Sequence, residues 1–227
     1  MPFDAGRVET VTVDSYGTLV DPAAAETALT AHVEETEPIS NLWRSRSLHY
    51  TMVANAVGGY QPFYEMNRDA LTYALEAHGV ALEASTIEEI LSVYHELEVF
   101  ADVKDGLGRL AEAGYDVYVL SNGNPAMLAS MVEHADIGDL LADTISAHEI
   151  RTFKPDASLY RHAAARAGTP IDAIAHVSGP SFDVQGAMHA GMQGVWLDRT
   201  GGPWDSFGDG PDLTVETVHE FADELGA

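Results

Sequence analysis

The second half of the chain alternates helical and strand-like segments in a regular order. From residue 102 onward, four segments with apolar residues three or four apart each precede a short apolar or β-branched run, as residues 105–114 precede 116–121. Parallel strands need long crossover connections, which are usually helices. The alternation therefore predicts a parallel sheet with helices on both faces, and the β-branched run at residues 8–13 is predicted to join it as the first strand.

The chain between that first strand and the alternating region is helical in pattern throughout. Breaks occur around Pro38 and at Gly58-Gly59, and no strand-like run intervenes. We expect an α/β fold with a Rossmann-like core, formed by residues 1–20 and 100–227, and an inserted helical cap at residues 21–99. The predicted cap helices cover residues 22–36, 40–57, 62–80 and 85–100.

The net charge of −25 restricts the partners that the chain can bind. There are 36 acidic and 11 basic residues, and only Lys104 and Lys154 are lysines. Nucleic-acid binding requires clustered basic side chains, so it is not expected here. The acidic residues are scattered rather than gathered in a tail, which we interpret as adaptation to high salt. In such a lysine-poor chain, each remaining lysine is a candidate for a specific role.

The sequence lacks the features of several other kinds of protein and of site. There is no cysteine, which rules out disulfides, thiolate nucleophiles and cysteine-ligated zinc. No apolar run approaches the ~18 residues of a membrane span, and the N-terminus lacks the basic-then-apolar order of a signal peptide. We expect a cytoplasmic protein with no membrane partner. The ten histidines form no metal-binding pattern and are interpreted as core or surface residues.

Polar residues follow four of the predicted parallel strands. In an open parallel sheet, ligands bind outside the carboxyl ends of the strands, where these residues converge. The set combines two carboxylates, a lysine, hydroxyls and an amide, which together predict an active site. Its members are Asp14, Tyr16 and Thr18; Ser121, Asn122 and Gly123; Lys154 and Pro155; and Ser178 and Asp183.

These clusters resemble the four motifs of the haloacid dehalogenase superfamily, in order and rough spacing, with the helical stretch where that superfamily carries a cap. The run from Asp14 to Leu19 is similar to the first motif of the L-2-haloacid dehalogenases. The cap segment around Trp43-Arg44 and Tyr50-Thr51 resembles their arginine-bearing helix. The resemblance spans essentially the whole chain.

The resemblance implies hydrolysis of short L-2-haloacids to 2-hydroxy acids with inversion, without a cofactor or metal. Asp14 would attack C2 and form an ester, which water then hydrolyses. Lys154 would keep Asp14 ionised. Arg44 and Asn122 would stabilise the departing halide. The partners implied are a 2-halo carboxylate substrate and, as a possibility, a second copy of the chain in a homodimer.

Further residues take roles by the same resemblance. Asp183 would bind Lys154 or the hydrolytic water, either as general base or as an orienting group. Hydroxyls for Asp14 or the substrate carboxylate would come from Thr18, Ser121 and Ser178. Substrate would be bound by Tyr16, Leu48, Phe63, Tyr160 and Phe182, in addition to Asn122.

The sequence departs from superfamily patterns at four positions and leaves two alternatives open. Tyr16 and Ser178 replace acidic residues that are usual in magnesium-dependent phosphatases, which disfavours a magnesium-dependent phosphatase without excluding it. Pro180 stands where the dehalogenases usually have asparagine, and Ser45 where a longer polar side chain is usual. Pro180 is the best support for the second alternative, a non-catalytic relative that kept the scaffold.

Overall fold

A computed structural model describes residues 2–227 and contains one six-stranded sheet, all of whose neighbouring strands are parallel. The strand order is β3-β2-β1-β4-β5-β6, so the first strand lies at the centre. The predicted α/β fold is confirmed. The strands are β1 (Thr10–Val13), β2 (Asp116–Ser121), β3 (Asp143–Ser146), β4 (Ile174–Ser178), β5 (Gln193–Leu197) and β6 (Leu213–Val215).

Nine α-helices surround or precede these strands in the part of the chain that the structure describes. Four of them lie between β1 and the helix that leads into β2, and the rest alternate with strands. The helices are α1 (Ala24–Leu29), α2 (Thr36–Val57), α3 (Phe63–Ala77), α4 (Ala84–Ser92), α5 (Val103–Glu112), α6 (Pro125–Ala135), α7 (Ala157–Ala167), α8 (Ser181–Ala190) and α9 (Val218–Glu224). Within residues 2–227, none is both long and apolar enough to cross a membrane.

The first two helices differ from the sequence prediction in their bounds. We expected a helix over residues 22–36, but α1 ends at Leu29. The second begins at Thr36 rather than at residue 40, and Pro38 lies in its first turn. Proline is tolerated there, since backbone N–H groups in a first turn have no partner within the helix. A proline interpreted as a break was therefore part of the helix start.

The two central strands position the chemistry. Every residue of β1 and β4 is buried, and Thr12 is paired in register with His176. The β-branched and apolar residues of β1 are those expected for a parallel strand that is covered on both faces. Because β1 and β4 run side by side in the same direction, the loops after Val13 and Ser178 emerge together at one edge of the sheet.

The helices α1–α4 are joined to the sheet by two chain segments that pair with each other. Val20 and Val99 form an isolated antiparallel bridge, and the Phe100 N–H donates to the Leu19 carbonyl over 3.1 Å. Arg199 after β5 reinforces this junction. Its guanidinium lies 4.3 Å from the Phe100 ring centroid and donates to the Thr18 carbonyl over 2.8 Å.

Candidate active site

Asp14 follows β1 directly and is fixed from three sides. Its N–H donates to the Val177 carbonyl of β4 over 2.9 Å. Its Oδ2 accepts from Thr18 Oγ1 over 2.8 Å, and its Oδ1 accepts from Lys154 Nζ over 2.8 Å. The residue is only 7% exposed. A carboxylate with this little water around it and a fixed direction is arranged for nucleophilic attack.

Lys154 lies between the two predicted carboxylates. Its Nζ is 2.8 Å from Asp14 Oδ1 and 2.6 Å from Asp183 Oδ2, and the residue is 1% exposed. A buried ammonium is costly unless counter-charges surround it. Burial alone would lower the pKa of Lys154, but the two carboxylates outweigh that effect and raise it. The lysine therefore remains positively charged.

The two carboxylates differ in their affinity for protons. Burial and the negative charge of Asp183 raise the pKa of Asp14, although Lys154 opposes the increase. Burial would also raise the pKa of Asp183, yet the charge of Lys154 and the contact with His176 hold that pKa well below its usual value. Asp183 thus stays ionised beside the lysine. Asp14, as the more basic of the pair, is the better nucleophile.

A buried histidine beside Asp183 was not singled out by the sequence analysis. His176 lies in β4, is 0% exposed, and places Nε2 3.0 Å from Asp183 Oδ2. This is an ion-pair distance, although the ring is off the line of a good hydrogen bond. The sequence did contain a signal for this residue. His176 is a titratable residue within an apolar run, and it lies two positions before Ser178, which places both on the same face of the strand.

Tyr160, which the resemblance assigns to substrate binding, contacts the second carboxylate in this structure. The residue is 0% exposed, and its hydroxyl donates to Asp183 Oδ1 over 2.6 Å. Burial, followed by the charge of Asp183, raises its pKa well above the usual value, so the hydroxyl remains a donor. Tyr160 therefore orients Asp183 from α7.

Two of the three predicted hydroxyls bind elsewhere than Asp14. Thr18 contacts Asp14 as expected, and its oxygen also accepts the Gly179 N–H over 2.9 Å. Ser121 Oγ instead lies 2.6 Å from Ser15 Oγ and accepts the Gly123 N–H, which shapes the loop after β2. Ser178 Oγ makes only a long 3.5 Å contact with the Pro180 carbonyl. Neither serine hydroxyl is hydrogen-bonded to Asp14 in this structure.

Aromatic rings form a wall beside the nucleophile loop. Tyr16 stacks on Phe63 at a centroid distance of 6.4 Å and meets the edge of Tyr94 at 5.6 Å. Burial raises the pKa of Tyr16 far above its usual value, which excludes it as a base. Its buried hydroxyl has no hydrogen-bond partner among the described residues. The residue two positions after Asp14 therefore offers the site an aromatic ring and no base.

The side-chain oxygen and the side-chain NH₂ group of Asn122 have different roles in the site. Its Oδ1 accepts the Lys154 N–H over 2.9 Å, which ties the loop after β2 to the lysine. With that oxygen occupied, the side-chain NH₂ group is the part that remains to donate to a ligand. This is the group that stabilisation of a halide would need.

Arg44 is not in contact with the carboxylates in this structure. It lies on α2 with 35% of its side chain exposed, donates to Asn41 Oδ1 over 2.8 Å, and lies 4.0 Å from Glu26. Its positive charge opposes, but does not overcome, the burial that raises the pKa of Tyr94 to about 12. Tyr94 in turn contacts Tyr16 of the nucleophile loop.

The remaining predicted pocket residues are Leu48 and Phe182. Leu48 is half-buried on α2. Phe182, at the start of α8, lines a cavity of about 700 Å³ together with Met52, from α2, and Pro155.

The loops after β1 and β4 approach each other so closely that glycine is required. Gly17 has a φ of 82°, a left-handed conformation that other residues rarely adopt. A Cβ at Gly179 would lie 2.4 Å from the Gly17 carbonyl oxygen. These two glycines let the Thr18 hydroxyl reach both Asp14 and the neighbouring loop.

The arrangement does not fit a magnesium ion between the carboxylates. Magnesium requires oxygen ligands around it. The space between Asp14 and Asp183 is instead held by the ammonium of Lys154, and Tyr16 and Ser178 replace the acidic residues that would add ligands. No cluster of three or more potential ligands occurs within residues 2–227.

Comparisons with known proteins agree with this geometry. A family model described as haloacid dehalogenase-like hydrolase matches residues 8–191. The (S)-2-haloacid dehalogenase H-109 of Pseudomonas putida is 31% identical over 96% of this chain and 98% of its own. The (S)-2-haloacid dehalogenase 1 of Pseudomonas sp. strain CBS-3 is 33% identical over 84% of each chain.

Solved structures give the same result. L-2-haloacid dehalogenase from Xanthobacter autotrophicus, with chloropropionic acid covalently bound, has a TM-score of 0.90 at 25% identity and covers 97% of this chain and 99% of its own. A dehalogenase with an intermediate complex has a TM-score of 0.92 at 28% identity, with coverage of 97% and 98%. The chain therefore belongs to the haloacid dehalogenase-like hydrolase family, among the (S)-2-haloacid dehalogenases.

Proposed function

We propose that the protein converts short L-2-haloacids to 2-hydroxy acids with inversion, through an ester on Asp14. The observation that carries this proposal is the desolvated Asp14 carboxylate, held by Thr18 and Lys154 with no second acidic residue two positions later. The relatives named (S)-2-haloacid dehalogenases support the same substrate class.

The first half-reaction forms the ester. An Asp14 carboxylate oxygen attacks C2 opposite the halogen, and the carbon–halogen bond breaks as the halide leaves with the bonding electrons. Fixing the carboxylate and removing its water lowers the barrier, because orientation of this kind contributes on the order of 7–11 kcal/mol in favourable cases. The developing negative charge on the halide is stabilised by Asn122 and Arg44.

The second half-reaction restores the carboxylate. Water attacks the ester carbonyl carbon of Asp14, the bond from the carbonyl carbon to the substrate oxygen breaks, and the 2-hydroxy acid leaves with that oxygen. One proton is released per turnover. While Asp14 is an ester it carries no charge, and Asp183 is then the carboxylate that still balances Lys154. This requirement accounts for a second buried carboxylate that stays ionised.

We also propose that residues 21–99 act as a cap over a core of residues 1–20 and 100–227. Arg44 on this cap would turn toward the halide when substrate is bound. Two features support the movement: its contacts with Asn41 and Glu26 are partly exposed, and such contacts contribute little free energy.

A halide-release assay tests the function directly. We expect halide from the L enantiomers of short 2-haloacids and none from the D enantiomers, with no loss on adding a metal chelator. Phosphomonoesters should not be hydrolysed, with or without magnesium. Strong inhibition by chelator, or magnesium-dependent phosphate release, would instead support the phosphatase alternative. Binding of a haloacid with no halide released across the substrate panel would support the non-catalytic one.

The charge of the chain leads to a prediction about salt. We propose that the protein is salt-adapted, because it carries a net charge of −25 with only two lysines. Repulsion between this charge and an anionic substrate slows their encounter, and salt screens it. We expect kcat/KM to rise as KCl is increased from dilute buffer toward molar concentrations. A maximum of kcat/KM in dilute buffer would contradict salt adaptation.

A cytoplasmic location and a homodimer remain part of the proposal. Support for the dimer comes from apolar side chains exposed on the second half of α2, among them Met52, Val53 and Val57, the last of which is 72% exposed. Exposed apolar clusters of this kind are typical of protein–protein contacts.

A further inference from the structure

His176 is buried among the groups that hold the second carboxylate. Its Nδ1 lies 2.9 Å from Thr12 Oγ1, on the neighbouring strand β1, and its Nε2 lies 3.0 Å from Asp183 Oδ2. Because the Thr12 hydroxyl can donate to Nδ1, the proton of a neutral imidazole can sit on Nε2, facing the carboxylate. The Nε2 edge of the ring therefore lies against Asp183, although it is off the line of a good hydrogen bond.

Three neighbouring elements, α7, α8 and β5, place residues beside His176. Asp183 comes from α8, and Tyr160 from α7 meets the ring edge-on at a centroid distance of 5.6 Å. On the β5 side, the residue in register is Gly194, which has no side chain. Lys154 is reached only through the shared Oδ2 of Asp183. Asp183 is thus the charged group in direct contact with the imidazole.

The residue three positions before Asp183, in the loop that leads into α8, offers that carboxylate no hydrogen-bond donor. Pro180 precedes Asp183 by three residues and has neither a polar side chain nor a backbone N–H. The donors that do reach Asp183 come from Lys154 and Tyr160, and His176 adds a third contact from within the sheet.

We propose that His176 is a positioning residue for the reaction: it holds Asp183 against Lys154 from the sheet, supplying the contact that Pro180 cannot supply from the loop. The proposal rests on the function proposed above. His176 does not touch substrate and acts through Asp183. When Asp14 becomes an ester, Asp183 is the carboxylate that still pairs with the Lys154 ammonium. Greater mobility of the Asp183 side chain would therefore slow the hydrolysis of the ester.

The test compares His176→Phe, His176→Gln and a matched control, His134→Gln, which changes an exposed histidine on α6. Loss of a contact to a buried charge should lower kcat of His176→Phe about 10–100-fold with little change in KM. His176→Gln, which retains an N–H donor, should recover part of the loss, and His134→Gln should behave as wild type.

A purely structural role would lower stability, and a restored donor would not recover kcat. To separate the two, Pro180→Asn is added in the His176→Phe background, because asparagine at this position offers the donors that proline lacks. Partial recovery of kcat at unchanged KM supports the proposal. Wild-type kcat in His176→Phe, or a lowered kcat that neither His176→Gln nor the added Pro180→Asn recovers, would overturn it.

A readout independent of activity distinguishes failure of this inference from failure of the proposed function. In ¹⁵N-histidine-labelled protein, the Nε2 signal of His176 is identified by its loss in His176→Phe. We expect that signal to shift when Asp183 is changed to Asn. An unchanged Nε2 signal would show that the imidazole does not act on the carboxylate, even if the wild type releases no halide from any haloacid.

Discussion

Asp14→Asn should reduce halide release by about 10⁴-fold or more, because no other carboxylate can take the place of a removed nucleophile. Asp183 is 1% exposed and engaged by Lys154 and Tyr160, so it cannot substitute. The rate is measured as halide released by purified enzyme. Asp14→Ala serves as the second variant, since it cannot regain a carboxylate by deamidation, and melting temperatures confirm that both variants are folded.

A single turnover in heavy-oxygen water identifies the atom that attacks. With enzyme in excess over substrate, one heavy oxygen should enter Asp14, because water attacks its ester carbonyl. Trypsin cleavage after Arg7 and Arg44 gives a peptide of residues 8–44, which contains Asp14 and whose mass reports the label. Enzyme incubated without substrate is the control. If the label appears only in the product, water attacks the substrate directly and the ester route is wrong.

Lys154→Met should lower the free energy of unfolding by about 3–5 kcal/mol and abolish activity. The change leaves two buried carboxylates without the ammonium that separates them, and removing one partner of a buried ion pair has an effect of this size. Urea unfolding measures the loss. Lys104→Met is the matched control, because its ammonium is 58% exposed and pairs with an exposed Asp136. The control should leave stability and kcat nearly unchanged.

The same variant changes how stability depends on pH. The pKa of Lys154 is raised above its usual value of 10.5, so its contribution is complete below pH 10.5 and is lost as pH rises through the raised pKa. The pKa of Asp183 is lowered from 3.8, so its contribution holds above pH 3.8 and disappears as pH falls toward the lowered pKa. Asp14, whose pKa is raised, opposes Asp183 in the acid range.

Lys154→Met should reduce the wild type's loss of stability above pH 10.5, while buried tyrosines with raised pKa values, such as Tyr16 and Tyr94, keep the remainder. It should also reduce the stability advantage at neutral over acid pH, because both carboxylates then favour protonation. Unfolding free energies measured across the range test both limbs. An alkaline loss of equal size in wild type and variant would mean that Lys154 does not titrate as the paired group.

The convergence of the predicted carboxylates and lysine follows from topology. Parallel strands end at one edge of a sheet, so Asp14, Lys154 and Asp183 converge there regardless of how each side chain packs. A buried lysine in a chain with two lysines was also predictable, because the composition leaves few other reasons to keep one.

Side-chain directions were not predictable in the same way. The resemblance assigned Arg44 to the halide, whereas its guanidinium contacts Asn41 in this structure. A long, partly exposed side chain can adopt several rotamers and bind different partners in each. Tyr160 and Ser121 were assigned to the substrate or to Asp14; in the structure Tyr160 contacts Asp183, and Ser121 contacts Ser15. His176 was missed because histidines were evaluated for metal-binding patterns and not for burial beside a carboxylate.

The paired junction at Val20 and Val99 is where movement of the proposed cap would reach the core. Arg199 contacts both chain segments of that junction, through the Phe100 ring and the Thr18 carbonyl, while the Thr18 hydroxyl donates to Asp14. We therefore expect a bend at the junction to displace Thr18 and, through it, Asp14. In the cap movement proposed above, entry of substrate and the direction of the attacking oxygen would then be mechanically linked.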